Sequence, residues 1–471
     1  MSKLSTSAVL MVTAMVSLSS CMVGPNYQRP DTAAQLPANF KVPAGWKVAE
    51  PADAKSKGAW WKTFNDSRLN GLMANAMADN QSLKAAFLRV EQARTIARTG
   101  RASLLPDLSF DPTTERRRRS GTTRSNINGT AGATTSNVAL PLVLDYEIDL
   151  WGKLRRQLEA VEAEAATSEA DYENVMLALQ ADLAISYFNL AAADRELAIL
   201  REGLALRKKS LDLNQQRFDA GDVDEVDVSR AITEVAATES DIIGVQKMRA
   251  EFENAIAVLI GKPSSDFSIP TVSHSSAPPT VSGTLPSALL ERRPDIAAAE
   301  RKMQAANARI GAAQAAFFPS VRLNGDIGFE SSKLSKLFTG DSLAWGLGPS
   351  VSYPVFDGRR NQGELDRSRL LYEETVATYR QTILNAVREV DNALSGVTLL
   401  AQQYDAQERT VTAANRTVEL SQQRYDAGIV AYFDVVEAQR TALEAERARS
   451  AIKNSQHLAS IALFKALGGA W

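Results

Sequence analysis

The chain has 471 residues, a formal net charge of -2 and 45% hydrophobic residues. The near-balanced charge gives nucleic acid no electrostatic footing, so no nucleic-acid partner is expected. The lone cysteine, Cys21, excludes an internal disulfide framework and a cysteine-rich zinc site.

Residues 1–20 carry Lys3, an apolar stretch from Ala8 to Val16 and small residues just before Cys21. That order predicts an export signal peptide. Leu18-Ser19-Ser20-Cys21 resembles a bacterial lipobox, in which the cysteine becomes the first mature residue and carries acyl chains. Each buried CH₂ contributes ~0.8 kcal/mol, and stable anchoring needs more than one chain. Met22 after the cysteine resembles outer-membrane sorting. Cys21 is therefore the candidate lipid attachment residue. Residues 21–60, with Pro25, Pro30, Pro37, Pro43 and Pro51, are expected to form a lipidated, extended tether. Trp60-Trp61 and Phe64 open the folded body, either packing its first helix or lying at a membrane interface. No run of 18 apolar residues follows Cys21, so no transmembrane helix is expected, and a lipid or a β-barrel is left as the route into a membrane.

A helix is predicted from Asp66 to about Ser103, where Leu69, Leu72, Met73, Ala76, Leu83, Phe87 and Val90 follow the 3.6-residue period. It ends before Pro106. Residues 107–150 predict a β-hairpin with a Gly/Thr/Ser/Asn-rich tip at 119–136. Its return strand alternates cleanly: Val138, Leu140, Leu142, Leu144, Tyr146, Ile148. From Leu154 to Leu204 apolar residues recur alternately four and three apart, with one slip of a residue between Leu179 and Leu183. This is coiled-coil spacing, and the run to Asp219 extends about 100 Å at 1.5 Å per residue. Gly221 suits a helix C-cap. A returning helix runs to Ile260, and residues 263–288 form a linker. The pattern then restarts: a helix from Pro294, a hairpin over 319–356, a second long helix to Asp426, and a last helix from about Tyr432 to Leu467.

The two halves also share a turn. Residues 215–221 read QQRFDAG and residues 422–428 read QQRYDAG, an offset of about 207 residues. Asp227 and Asp434 follow at equal distances. The chain therefore reads as one unit written twice, 61–262 and 289–471, each of helix, hairpin, long helix, tip turn and helix. His457, on the last helix, is expected at the surface, and His274 in the linker.

Four strands in one chain leave open edges, which cannot face lipid. The long Ala-rich helices need neighbours along their whole length. A ring of chains meets both demands and encloses a duct; three chains would give twelve strands, within the range of membrane barrels.

The motifs MVGPNYQRP (22–30), RRPDI (292–296), AFFPSV (316–321), FDGRR (356–360) and the paired tip turns, with the lipobox, resemble the outer membrane factor family. Within these TolC-like proteins the likeness is to the lipoprotein subgroup near OprM and NodT. The resemblance covers essentially the whole mature chain. It implies a mainly α fold: a homotrimer with a twelve-stranded transmembrane β-barrel continuing into a periplasmic α-helical barrel. It further implies a periplasmic adaptor, an inner-membrane pump and the lipid of the outer membrane as partners. No cofactor and no metal are expected. By motif match, the periplasmic gate falls on Tyr425, Asp434 and Glu437, with Asp227 and Arg230 opposite them. Threefold symmetry would gather these carboxylates near one axis, where two charges 7 Å apart in water repel by ~0.6 kcal/mol. The alternative is that Asp227 and Asp434 only favour their helix N-termini. The tip turns 217–223 and 424–430 are the expected adaptor contact, through Arg217, Asp219, Gly221, Arg424, Asp426 and Gly428. Arg116, Arg117, Arg118 and Arg119 form a basic run, read either as an outer rim touching lipid phosphates or as a solvated loop edge.

No enzyme is expected, since the sequence has no nucleophile elbow, zinc-protease or P-loop motif. The expected function is a passive exit duct in a tripartite efflux system for drugs or other small molecules. The alternatives are a protein-secretion duct and a lipid-anchored structural coiled coil.

Overall fold

The computed structural model describes residues 22–29, 58–118, 120, 122, 132–272, 279 and 293–469. The signal peptide, Cys21, Arg119, His274 and most of the tether and linker lie outside the described residues. The chain forms two compact units.

One unit comprises Met1–Pro30, Val90–Ser168 and Ala299–Tyr379 and holds the sheet. Its strands are β1 (Asp107–Phe110), β2 (Thr113–Arg118), β3 (Thr134–Ile148), β4 (Ser320–Ser331) and β5 (Leu343–Ser352). All pairings are antiparallel. β1 and β2 lie end to end along β3, so they occupy one strand position broken at Asp111-Pro112. Proline has no N–H for the ladder, which accounts for the break in the single strand expected there. The order then runs β3–β4–β5, leaving β1/β2 and β5 as open edges.

The register sorts the side chains by face. Leu108, Leu144 and Gly325 align with Leu347; Phe110, Leu142 and Ile327 align with Trp345. That face is apolar and bare: Trp345 is 74% exposed and Val351 67%. The opposite face carries Asp145, Glu147, Arg322, Asn324 and Asp326. Arg322 pairs there with Glu147 at 3.0 Å, and Asn324 donates to Ser350. β5 stops at Ser352, short of the expected return to Val355, which is 90% exposed.

The other unit comprises Asp31–Arg89, Glu169–Ala298 and Arg380–Trp471. Its core joins Trp60, Phe64, Leu183, Tyr187, Phe188, Ile256 and Phe464. The helices of the chain are α1 (Ser67–Asp79), α2 (Gln81–Ala102), α3 (Lys153–Asp219), α4 (Glu225–Leu259), α5 (Pro294–Ala315), α6 (Arg360–Asp426) and α7 (Tyr432–Ala466). α3 and α6 each have 67 residues, and α4 and α7 each have 35.

Several expectations need correction. The first predicted helix is two, divided at Asn80, whose side-chain oxygen accepts from Leu83 N and whose amide donates to Leu259 O. The tryptophans pack internally: Trp60 is 1% exposed and stacks on Phe464 at 5.3 Å. His457 is not a surface residue. It is fully buried and stacked on Phe188 at 4.6 Å, with Nδ1 2.8 Å from Lys453 O. α3 does contain an 18-residue window of mean hydropathy 1.4, apolar enough by composition to cross a membrane, yet 56% of that window is buried within the chain. Its apolar stripe widens because Leu179, Leu183, Phe188 and Leu190 all face the core just described. Residues 22–29, expected as part of an extended tether, are hydrogen-bonded to the sheet-bearing unit through Arg156, Asn307 and Glu300.

Candidate functional site

Both tip turns lie in the helical unit and are built alike. α3 ends as Gly221 N donates to Phe218 O and Asp222 N to Arg217 O; α6 ends as Gly428 N donates to Tyr425 O and Ile429 N to Arg424 O. This is the Schellman arrangement, which needs a left-handed residue after the helix. Gly221 (φ 82°) and Gly428 (φ 73°) supply it. Gln215 and Gln422 each donate to the aspartate four residues on, Asp219 and Asp426. The repeated glutamine and aspartate thus brace the last turn, and the repeated glycine closes it.

Beneath the turns, the two helix pairs are joined. Tyr425 Oη donates to Asn214 Oδ1 at 3.0 Å, and the Asn214 amide donates back to Ser210 O. The Arg217 guanidinium lies 4.7 Å from the Tyr425 ring centre, within cation–π reach. Tyr425 meets Tyr432 at 5.6 Å, over Ala231 and Val435. Burial pushes the Tyr432 hydroxyl above the ordinary phenol range. Lower down, buried Arg207 pairs with Glu234 at 3.0 Å and donates to Thr238 Oγ1.

The sequence-derived gate residues fall into two groups. Tyr425 is buried inside the join and presents no free face. Asp227 and Asp434 lie in the first turns of α4 and α7, and Arg230 and Glu437 in the second turns. Asp227 pairs with Arg230 on its own helix at 3.5 Å, and Arg230 reaches across to the Phe433 ring at 5.3 Å. Arg230 therefore bridges to α7 through an aromatic face and not through Asp434 or Glu437. Glu437 pairs instead with Arg440 at 3.2 Å. Asp434 is exposed and has no side-chain partner among the described residues. Between α4 and α7 a groove of about 440 Å³ is lined by Val226, Arg230, Thr233, Phe433, Glu437 and Arg440, among others.

Of the adaptor residues, Asp219, Gly221, Arg424, Asp426 and Gly428 are exposed, while Arg217 is half-buried on Tyr425. Arg116, Arg117 and Arg118 stand exposed on β2 opposite Ser136, Thr135 and Thr134. Among the described residues no His/Cys/Asp/Glu cluster suited to a metal is present.

Sequence reasoning missed Asn214 and Arg207. Both continue the four–three spacing of Leu197, Leu200 and Leu204, at 207, 211 and 214. Polar residues on an otherwise apolar stripe are the signal for a register-fixing buried contact.

Residues 72–262 and 285–469 match the profile of the outer membrane efflux protein family. The chain belongs to that family. It is an efflux protein of the outer membrane. The chain is 31% identical over 457 residues to the cation efflux system protein CusC of Escherichia coli, covering 97% of each. To the outer membrane protein OprJ of Pseudomonas aeruginosa it is 32% identical over 465 residues, covering 97% of this chain and 94% of that one. The solved outer-membrane channel OprN superimposes with a TM-score of 0.85 at 28% identity, over 96% of this chain and all of that one. The members are channels, and the mainly helical fold is theirs.

Proposed function

We propose that three copies of this efflux protein close into a conduit: a twelve-stranded barrel in the outer membrane, continued by a periplasmic tube of helices. The observation that carries this reading is the sheet. It has one apolar, bare face and two open edges, at β1/β2 and β5. Unpaired backbone groups cost several kcal/mol each in hydrocarbon, so β5 of one copy must pair with β1/β2 of the next. The apolar face then meets lipid, and the face bearing Asp145, Glu147, Arg322 and Asp326 lines the lumen. Purified protein should carry discrete single-channel currents in planar bilayers; a silent bilayer argues instead for an envelope spacer.

The internal duplication, 61–262 and 289–471, is supported by the equal lengths of α3 and α6 and of α4 and α7. Two copies per chain give six pseudo-equivalent hairpins in a trimer. The tip turns dock a periplasmic adaptor, which links the duct to an inner-membrane pump. The buried join of Tyr425 and Asn214 holds the helix pairs of one chain together, while exposed Asp434 supplies one carboxylate per copy to a ring at the periplasmic mouth. Acyl chains on Cys21 add the membrane anchor, and Arg116–Arg118, at the far ends of the strands, form the outer basic rim. CusC is a cation efflux protein; for this chain the cargo class is drugs, metal ions or other small molecules delivered by whichever pump docks.

A further inference from the structure

Residues 22–29 are threaded through a slot in the sheet-bearing unit, and the slot is built for them. Val23 N donates to Trp151 O at 3.0 Å. Arg156, whose side chain is 1% exposed, spends its guanidinium on this segment: Nε on Val23 O, and Nη2 on Gly24 O at 3.2 Å and on Asn26 Oδ1 at 2.8 Å. Its Nη1 donates to Glu159 Oε2 at 2.7 Å. Asn307 donates to Pro25 O at 3.0 Å. At the far end Arg29 Nε donates to Glu300 Oε1 at 2.8 Å, and the Tyr27 hydroxyl lies 3.4 Å from the same oxygen.

Three glycines make the passage. A Cβ on Gly24, which sits at φ +100°, would stand 2.4 Å from Gly311 Cα. One on Gly311 would meet the Arg156 side chain at 2.8 Å, and one on Gly152 (φ +78°) would meet Met22 at 2.6 Å. A flexible tether has no use for backbone-to-backbone contact of this kind. Nor has it use for a buried guanidinium that takes three of its acceptors, Val23 O, Gly24 O and Asn26 Oδ1, from the tether itself.

We infer that Gly152, Arg156 and Gly311 form a docking slot that grips residues 22–26 as a strap, with Arg29–Glu300 as a second pin, and that this slot fixes where the N-terminus leaves the body. Arg156 is the positioning residue. Met22 is held against Gly152, at the corner between β3 and α3 where Trp151 stacks on Phe318 at 4.8 Å. The segment from Met22 onward is therefore pinned at that corner. The inference does not depend on the duct being a trimer.

Hydrogen exchange followed by mass spectrometry on the full-length protein in detergent micelles tests it. In the wild type the Val23 amide, which donates to Trp151 O, should exchange far slower than in the free peptide. Gly24→Val, a change on the strap alone, should raise exchange at the Val23 amide by at least about tenfold and leave β3 and β4 protected, as local opening does. Arg156→Met should do the same. Wild-type exchange at the free-peptide rate, or unchanged protection in Gly24→Val, would overturn the slot. A rise spread equally over β3 and β4 would overturn it too, because the segment would then be one more piece of the core.

Discussion

Tyr425 and Asn214 are 211 residues apart in sequence, yet the tyrosine hydroxyl donates to the asparagine oxygen at 3.0 Å in a buried setting. The bond joins the tip of the second long helix to the first. Tyr425→Phe removes the donor and leaves Asn214 Oδ1 buried without it, at a cost of ~1–3 kcal/mol. The expected result is faster amide exchange confined to the two tip turns, and a larger or noisier single-channel conductance. Unchanged exchange at both turns would show that the bond does not hold them.

The exposed carboxylate of Asp434 lacks the pairing that Asp227 and Glu437 have. In a ring of three it would attract cations from the periplasmic side. Asp434→Asn should weaken block by divalent cations about tenfold, equivalent to ~1.4 kcal/mol. Equal block in both proteins would leave Asp434 as a residue that merely favours its helix N-terminus.

Gly221 and Gly428 can be separated from their surroundings, since a Cβ on either meets nothing within 4 Å. Any effect of substitution is then a backbone effect. Gly428→Val should cost ~1–2 kcal/mol of local stability, whereas Gly428→Asn, which tolerates the left-handed region, should cost less. Crosslinking to a cognate adaptor should follow the same order. If valine and asparagine behave alike, the turn conformation is not what the adaptor reads.

Tyr187 donates to Asp66 Oδ2 at 2.5 Å, and Asp66 also caps α1 by accepting from Arg68 N and Leu69 N. Burial, then the hydrogen bond and the Asp66 charge, push the Tyr187 hydroxyl above the ordinary phenol range. The folded chain therefore keeps a proton that the unfolded chain releases above about pH 10. Stability from this contact is full below that pH and falls as pH rises beyond it. Melting temperatures taken across pH 8 to 11 should show the fall in the wild type and a shallower one in Tyr187→Phe. Parallel curves would assign the alkaline loss to other groups.

The elements with sustained periodicity were legible in the sequence. Both long helices end at Asp219 and Asp426 as the paired tip motifs require, and the glycine caps follow from QQRFDAG and QQRYDAG. What stayed hidden was decided by tertiary contact. Asn80 interrupts a helix whose apolar period continues through it, because its side chain has a backbone partner on α4 at Leu259. His457 looks like one more polar residue on a charged helix, and only the Phe64 and Phe188 rings reveal it as core. At the tips, the repeat singles out Asp227 and Asp434 by their equal distance from the two glycines. It does not single out Asn214, whose meaning depends on a tyrosine in the other half. Gly24 and Gly311 carry no local signature of a slot, since Gly24 is explained by the Gly311 backbone and Gly311 by the Arg156 side chain.

The central claim is that the sheet cannot complete itself within one polypeptide. The mass of the full-length protein purified in detergent, determined by light scattering corrected for bound detergent, tests this directly. The account predicts three chains per particle at every concentration where the protein stays folded. A folded, monodisperse single chain, with β1/β2 and β5 left unpaired, would contradict it.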